Sequence, residues 1–172
     1  MRLILFRHGP AEPRDAERWP DDHARPLTPR GVERTRRAAV GLAQLEPRIT
    51  KVFTSPALRC VESARILTLE LGAHGGLEVI ALLAPGGDQR ALLRAVAREG
   101  PESVVALVGH EPELGELAAA LLGMSPRSLT FKKAGACSLE WAAPGPGGTR
   151  LRWMLGPGAL RAIRQKRKGG VA

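Results

Sequence analysis

The sequence predicts one α/β domain, built as a three-layer αβα sandwich with a mostly parallel central sheet. Short apolar runs typical of buried strands alternate with segments of helical periodicity along residues 1–125, and this alternation is the pattern of an α/β fold. Residues 103–108 are almost entirely apolar, as expected for a central parallel strand. A chain of 172 residues, 44% of them hydrophobic, is long enough for one such core. Residues 1–160 are assigned to this domain, and residues 161–172 to a basic C-terminal tail that is expected to be disordered.

The N-terminal segment is predicted to form a strand, a loop and a helix. Residues 2–6 are apolar and lead into Arg7 and His8, so a buried strand delivers both side chains at its carboxyl end. A polar, proline-containing loop covers residues 9–27. Thr28 and Pro29 suit an N-cap and the first helical turn, which places the start of a helix here. The face of this helix that is expected to be buried consists of Val32, Thr35, Ala39 and Leu42.

The middle of the chain continues the alternation. Residues 51–54 are predicted as a strand, and Ser55-Pro56 as the start of a helix that holds Arg59 in its first turn. Residues 77–83 are expected to be extended or irregular, and Asp88 to cap a helix that runs to about residue 98. The apolar strand at residues 103–108 follows, and residues 109–112 turn into another helix. Later strands are expected at residues 128–131, 136–141 and 150–155, with a flexible loop at 144–148.

The composition excludes several classes of protein. No apolar run approaches the roughly 20 residues that a membrane-spanning helix needs, and the N-terminus lacks the features of a secretory signal peptide. A cytoplasmic location without a membrane partner is therefore expected. The two cysteines form no CxxC pair, which indicates reduced thiols. Cys60 is considered as the nucleophile of a cysteine phosphatase, but the arginine needed six positions later is missing, because residue 66 is Ile66.

Basic side chains are concentrated at the C-terminus. The net charge is +9, and residues 141–172 hold 7 basic and no acidic side chains. Such a segment is usually solvated, although it can also contact nucleic acid or an acidic partner. Nucleic acid is not expected as a partner, because the chain has no tyrosine and only three phenylalanines on which bases could stack. The pair Lys132-Lys133 is interpreted as a solvated turn.

Three distant segments place basic side chains at the carboxyl ends of predicted strands. They are Arg7-His8, the segment from Ser55 to Arg59, and Gly109-His110. Ligands bind at that edge of an open parallel sheet, and arginine holds phosphate oxygens in a bidentate manner. Helix N-termini near residues 56 and 112 would add backbone N–H donors. The convergence of these segments predicts a phosphate site.

No metal or cofactor is expected. His110-Glu111 does not begin an HExxH zinc motif, because residue 114 is Leu114. His23 and His74 have no partners at metal-ligand spacing. No phosphate-binding P-loop or dinucleotide-binding motif occurs, so nucleotide chemistry of those kinds is unsupported.

The same segments resemble a known family. Leu5 to Gly9 resembles the Arg-His-Gly signature of the histidine phosphatase superfamily, which includes the cofactor-dependent phosphoglycerate mutases. Ser55 to Ala64 is similar to its second motif, and Val108 to Pro112 to its third. Within the superfamily the resemblance is to compact SixA-like phosphohistidine phosphatases, because Arg25 to Thr28 precedes the first helix as it does there. Only 51 positions separate residues 59 and 110, which leaves no room for the lid insertion of the mutases.

This resemblance implies a phosphoglycerate mutase-like fold and a role for each matching residue. His8 would be the nucleophile that becomes a transient phosphohistidine, and Arg7, Arg59 and His110 would stabilise the transferring phosphoryl group. Substrate binding would involve Arg25 and Gly9. The general acid stays open, and the candidates are Glu12, Glu78, Asp88 and Glu111, or none of them.

The predicted function is removal of phosphate from phosphohistidine on a protein, through a covalent intermediate on the enzyme. Its partners would then be a phosphorylated protein as substrate and phosphate as product. The shallow site without a lid favours a protein substrate. One alternative is a small-molecule phosphomonoesterase of the same superfamily. An alternative of another class is a module that binds a phospho-ligand or RNA through the basic tail.

Overall fold

The computed structural model of the chain describes residues 1–46, 48–142 and 148–163. Residues 144–147 of the loop predicted at 144–148, and residues 164–172 of the tail predicted at 161–172, lie outside these ranges. The strands are β1 (Arg2–Arg7), β2 (Lys51–Thr54), β3 (Leu77–Val79), β4 (Val104–Gly109), β5 (Ala136–Trp141) and β6 (Thr149–Leu155). The α-helices are α1 (Pro29–Leu45), α2 (Leu58–Leu71), α3 (Gln89–Ala97), α4 (Glu113–Leu121) and α5 (Pro157–Ala162). Short 3-10 turns cover Asp22–Ala24 and Ala81–Leu83.

The six strands form one mixed sheet in the order β3-β2-β4-β1-β5-β6. Strand β4 lies between β1 and β2 and runs parallel to both, and β2 is also parallel to the edge strand β3. Strand β5 is antiparallel to β1 and to β6. The mostly parallel sheet and the central position of β4 are confirmed. Because β2, β4 and β1 are adjacent, the segments that follow them meet at one edge of the sheet.

Helices cover both faces of the sheet, as predicted. Successive side chains of β1 point to opposite faces, because a strand alternates with period two. Leu3 and Leu5 are fully buried against a cluster that includes α3 and α4. Ile4 and Phe6 are fully buried on the other face, in a cluster with α1, α2 and α5. No helix in the described ranges is long and apolar enough to cross a bilayer.

Helix α1 begins where the sequence predicts, but the first residue on its buried face is Gly31 and not the predicted Val32. The Thr28 side chain accepts a hydrogen bond from the Gly31 N–H at 2.9 Å, and Pro29 occupies the first turn. Val32 is 42% exposed, not buried. Gly31 takes the inward position, because a Cβ there would lie 1.9 Å from the Pro10 carbonyl oxygen. The loop packs so closely on this turn that only glycine fits.

Two further predictions are wrong in detail. Helix α2 begins at Leu58, because the Ser55 N–H still bonds to the Val108 carbonyl at 3.0 Å and continues the strand pairing. Residues 128–131 are not a strand, because the Ser128 N–H bonds to the Ser125 carbonyl at 3.2 Å in a local turn and not to a neighbouring strand. Helix α5 was not expected from the sequence, and its last residue is Ala162.

Candidate active site

The carboxyl ends of the central strands open onto a cavity of about 450 Å³. Arg7 ends β1 and His8 follows it, whereas His110 follows β4. Arg59 reaches the cavity from the first turn of α2, which comes after β2. Arg25 lines the cavity from the loop that precedes α1. The adjacent strands therefore bring together five of the six site residues predicted from the sequence.

The His8 ring has one fixed nitrogen and one free nitrogen. His8 is 6% exposed, and its Nδ1 lies 2.7 Å from the Gly9 carbonyl oxygen. Because a carbonyl oxygen only accepts, Nδ1 carries the hydrogen, and in the neutral ring Nε2 keeps a lone pair. Burial lowers the pKa of His8 to about 3, and the positive charges of Arg59 and Arg7 contribute in the same direction. The ring is therefore neutral at pH 7.

His110 lies beside His8 in the opposite tautomer. The two ring centroids are 5.4 Å apart, and His110 is 4% exposed. The Arg59 guanidinium can only donate, so its Nη2, 3.4 Å away, makes Nδ1 of His110 the acceptor. Nε2 then donates to Ser55 Oγ at 2.8 Å. Burial lowers the pKa of His110 to about 4, with the charge of Arg59 as the next cause.

Two of the arginines are held by one carboxylate, that of Asp22. Its Oδ1 accepts from Arg25 Nε at 2.9 Å, and its Oδ2 lies 3.0 Å from Arg59 Nη2. The Asp22 carbonyl accepts from Arg59 Nη1 at 2.7 Å. The hydrogen bond from Arg25 holds the pKa of Asp22 below its usual value. Asp22 was missed from the sequence, because only its spacing of three from Arg25 is visible there, and Arg59 lies far along the chain.

Gly9 is buried behind His8 and is not among the residues that line the cavity. A Cβ at Gly9 would lie 1.9 Å from Thr35 Oγ1 of α1. The Gly9 N–H donates to Ser63 Oγ of α2 at 3.0 Å. Glycine thus allows α1 to approach the end of β1, and its carbonyl orients the His8 ring.

Residues 131–135, here called the 131–135 loop, are joined to the end of β1. Arg7 Nη1 donates to the Phe131 carbonyl at 2.5 Å. The Ala134 N–H lies 3.0 Å from the Arg7 carbonyl and 3.1 Å from that of His8. Lys133 lies in an exposed turn, as interpreted from the sequence, and it also lines the cavity. The Phe131 carbonyl and the Ala134 N–H of this loop therefore bond to the end of β1 at the site.

The four candidates for the general acid separate into two groups. Glu12 and Glu111 line the cavity. Glu78 instead pairs with Lys51 at 2.9 Å, and Asp88 caps α3. Burial raises the pKa of Glu111, which favours a proton on this carboxyl.

The burial of Cys60 does not suit it as a nucleophile. Burial raises the pKa of Cys60 to about 12, so its sulfur stays a thiol. Cys60 Sγ lies 3.5 Å from His110 Nε2, where it packs beneath the ring. Among the residues that the structure describes, no group of three or more His, Cys, Asp or Glu side chains could hold a metal ion.

Comparisons with known proteins agree with this arrangement. The histidine phosphatase superfamily (branch 1) matches residues 3–82. An uncharacterised protein of Picosynechococcus sp. (strain PCC 7002) is 40% identical over 147 residues, which cover 83% of this chain and 87% of that protein. The phosphohistidine phosphatase SixA of Escherichia coli (strain K12) is 30% identical over 165 residues, covering 94% and 97% of the two chains.

A solved structure also matches nearly the whole chain. The protein histidine phosphatase SixA complexed with tungstate superposes with a TM-score of 0.79 at 29% identity, and the match covers 93% of this chain and 99% of that one. This likeness confirms the expected phosphoglycerate mutase-like fold. The match to the Escherichia coli sequence and the match to the solved structure each cover more than nine tenths of this chain. It follows that the chain belongs to the histidine phosphatase superfamily and is a SixA-like phosphatase.

Proposed function

We propose that this phosphatase hydrolyses phosphohistidine on a protein through a covalent phosphohistidine at His8. The observation that carries the proposal is the His8 ring, which is neutral, fixed at Nδ1 by Gly9 and placed in a cavity lined by cations. A neutral imidazole with a free Nε2 lone pair is the form that attacks phosphorus.

The reaction takes place in two steps. Nε2 of His8 attacks phosphorus in line, the P–N bond to the substrate imidazole breaks, and the leaving nitrogen takes up a proton. Water then attacks phosphorus on the enzyme, the P–Nε2 bond breaks and inorganic phosphate leaves. Each step forms and breaks one bond at phosphorus, so no external oxidant or reductant is needed.

The cations around His8 stabilise the charge on the phosphoryl group as it transfers. Arg7, Arg25 and Arg59 are cations that line the cavity with His8, and the neutral His110 ring lies beside the His8 ring. Asp22 and the Phe131 carbonyl hold these arginines before substrate arrives. Preorganised donors avoid the reorganisation that water would require, and loss of one such contact costs on the order of 10²-fold in rate.

A protein substrate fits the shape of the site. The cavity is open to solvent and has a volume of about 450 Å³, which leaves room for an imidazole and its neighbouring residues. The relative in Escherichia coli, at 30% identity, is named a phosphohistidine phosphatase. A protonated imidazole is a good leaving group, so a strong general acid matters less for this substrate than for an alkyl phosphate.

A second candidate function is hydrolysis of small phosphomonoesters. It is favoured by Glu111, because a partly buried carboxyl with a raised pKa in the cavity is suited to protonate an alkoxide leaving group. Comparing turnover of a histidine-phosphorylated protein with turnover of sugar phosphates distinguishes the two. A strong preference for sugar phosphates would select the second candidate.

The test of the nucleophile is chemical trapping. After brief reaction with labelled substrate, the label should be stable in base, labile in acid and located on His8. His8→Ala should lose both label and turnover, whereas His74→Ala, at an exposed position, should retain both. A variant that lacks residues 164–172 should also remain active. Wild-type turnover in His8→Ala would refute the nucleophile, and activity or binding that depends on the tail would favour the RNA or phospho-ligand module.

A further inference from the structure

Most cations that line the cavity are already engaged by protein oxygen atoms. Arg7 donates to the Phe131 carbonyl, and Arg25 and Arg59 share the Asp22 carboxylate. In the described residues, Lys133 forms no salt bridge and no side-chain hydrogen bond. Arg14 also lines the cavity, and its Nε lies 3.6 Å from the Asp22 carboxylate. Among the described lining residues, Lys133 is therefore the cation without an oxygen partner, which leaves its ammonium available to an incoming anion.

The backbone that carries Lys133 is fixed relative to the site. The Ala134 N–H contacts the carbonyls of Arg7 and His8, and the Gly135 carbonyl accepts from the Arg7 N–H at 3.0 Å. Ala134 adopts a left-handed conformation with φ of 59°, which turns the chain sharply at this point. The Cα of Lys133 thus keeps a constant position beside His8, while its long side chain can reorient.

Lys133 lines the same cavity as Arg7, Arg25 and Arg59, so these positive charges act on one another. Partial desolvation lowers the pKa of the otherwise exposed Lys133 side chain, and the charges of Arg7, Arg25 and Arg59 lower it further. A phosphate dianion bound among these groups would attract each of them and offset their mutual repulsion.

We propose that Lys133 is a further phosphate-binding residue, whose ammonium group binds the phosphoryl group of substrate or product from the side of the 131–135 loop. This inference deepens the proposed function and rests on it for the identity of the phosphorylated substrate. Lys133 acts mainly on binding, because a flexible, exposed side chain contributes little to the fixed electrostatics of the transition state.

The test is calorimetric binding of inorganic phosphate to the full chain, which requires no turnover. Lys133→Ala and Lys133→Met should weaken phosphate binding on the order of tenfold, and Lys133→Arg should restore most of it. Lys132→Ala is the matched control, because it removes the same charge from the neighbouring residue, which lines a pocket separate from the active-site cavity. It should stay within about twofold of the wild type after the loss of a distant charge.

Steady-state kinetics on the same variants distinguish binding from structure. Lys133→Met, which keeps the aliphatic stem, should raise KM about as much as it weakens phosphate binding and leave kcat and Tm nearly unchanged. Equal losses in Lys132→Ala and Lys133→Ala would reveal a general field effect and overturn the assignment. Full phosphate affinity in Lys133→Met would overturn it too. Failure of His8→Ala to lose turnover would refute the nucleophile alone, since phosphate binding is measured separately.

Discussion

The two neutral histidines make the stability of the fold depend on pH in a predictable way. An unfolded histidine has a pKa of 6.5, whereas His8 and His110 have pKa values of about 3 and about 4 in the fold. At a pH between the folded and the unfolded pKa, each histidine is protonated in the unfolded chain and neutral in the folded chain. The free energy of unfolding therefore falls as the pH drops below 6.5, and it rises with pH in the same window.

The magnitude follows from the two pKa values. For each ring, the free energy of unfolding of the protein falls by about 1.4 kcal/mol per pH unit as the pH drops from the unfolded to the folded pKa. Lowering the pH from 7 to 5 should therefore remove about 2 kcal/mol for His8 and a similar amount for His110. Both rings are almost fully buried, so solvent screening reduces these figures little.

Urea unfolding in phosphate-free buffer at pH 7 and pH 5 measures the effect. His8→Asn keeps a donor for the Gly9 carbonyl but does not titrate, so its loss of stability between the two pH values should be about 2 kcal/mol smaller than that of the wild type. His74→Asn, at an exposed position, should keep the wild-type loss. Carboxylates titrate in all three proteins and cancel in the difference. If His8→Asn loses as much stability as the wild type, the His8 ring is not held neutral by burial.

Three further substitutions have expected outcomes. Gly9→Ala should lower the free energy of unfolding by about 1–3 kcal/mol in urea, because its Cβ meets Thr35 Oγ1, and adding Thr35→Ala should recover part of it; no loss would contradict the close approach. Asp22→Asn should lower kcat/KM on the order of tenfold with little change in Tm, because Arg59 loses its ionic partner, and unchanged kinetics would mean that Asp22 does not position it. Glu111→Gln should slow alkyl phosphates about 10²-fold but spare nitrophenyl phosphate, whose leaving group needs no proton, and equal losses on both would exclude proton donation.

Local patterns were sufficient for most of the fold. The strand at residues 51–54, the Thr28 cap and the Asp88 cap were predicted correctly, because they depend on residues that are close in sequence. The inward position of Gly31 was not visible, since it depends on a carbonyl of the preceding loop. The error at residues 128–131 has a similar origin, because the Ser128 N–H bonds within a local turn and the Phe131 carbonyl bonds to the Arg7 side chain, and neither contact is visible in the sequence.

Some residues of the candidate site could be predicted from the sequence, and others could not. The residues that follow strands, such as His8 and His110, could be found because parallel strand ends meet at one edge of a sheet. Asp22 and Lys133 could not be found, because their positions depend on how two loops fold over that edge. Charged residues in loops are usually solvated, and only the three-dimensional arrangement distinguishes these two.

Asp22 has a consequence for the end of the catalytic cycle. Its carboxylate keeps a negative charge beside Arg25 and Arg59, and this charge subtracts from the attraction that these arginines exert on any anion. A cluster of unopposed arginines would hold inorganic phosphate firmly and slow the escape of the product. We therefore expect the acidic residue that aligns the arginines to ease the release of phosphate as well.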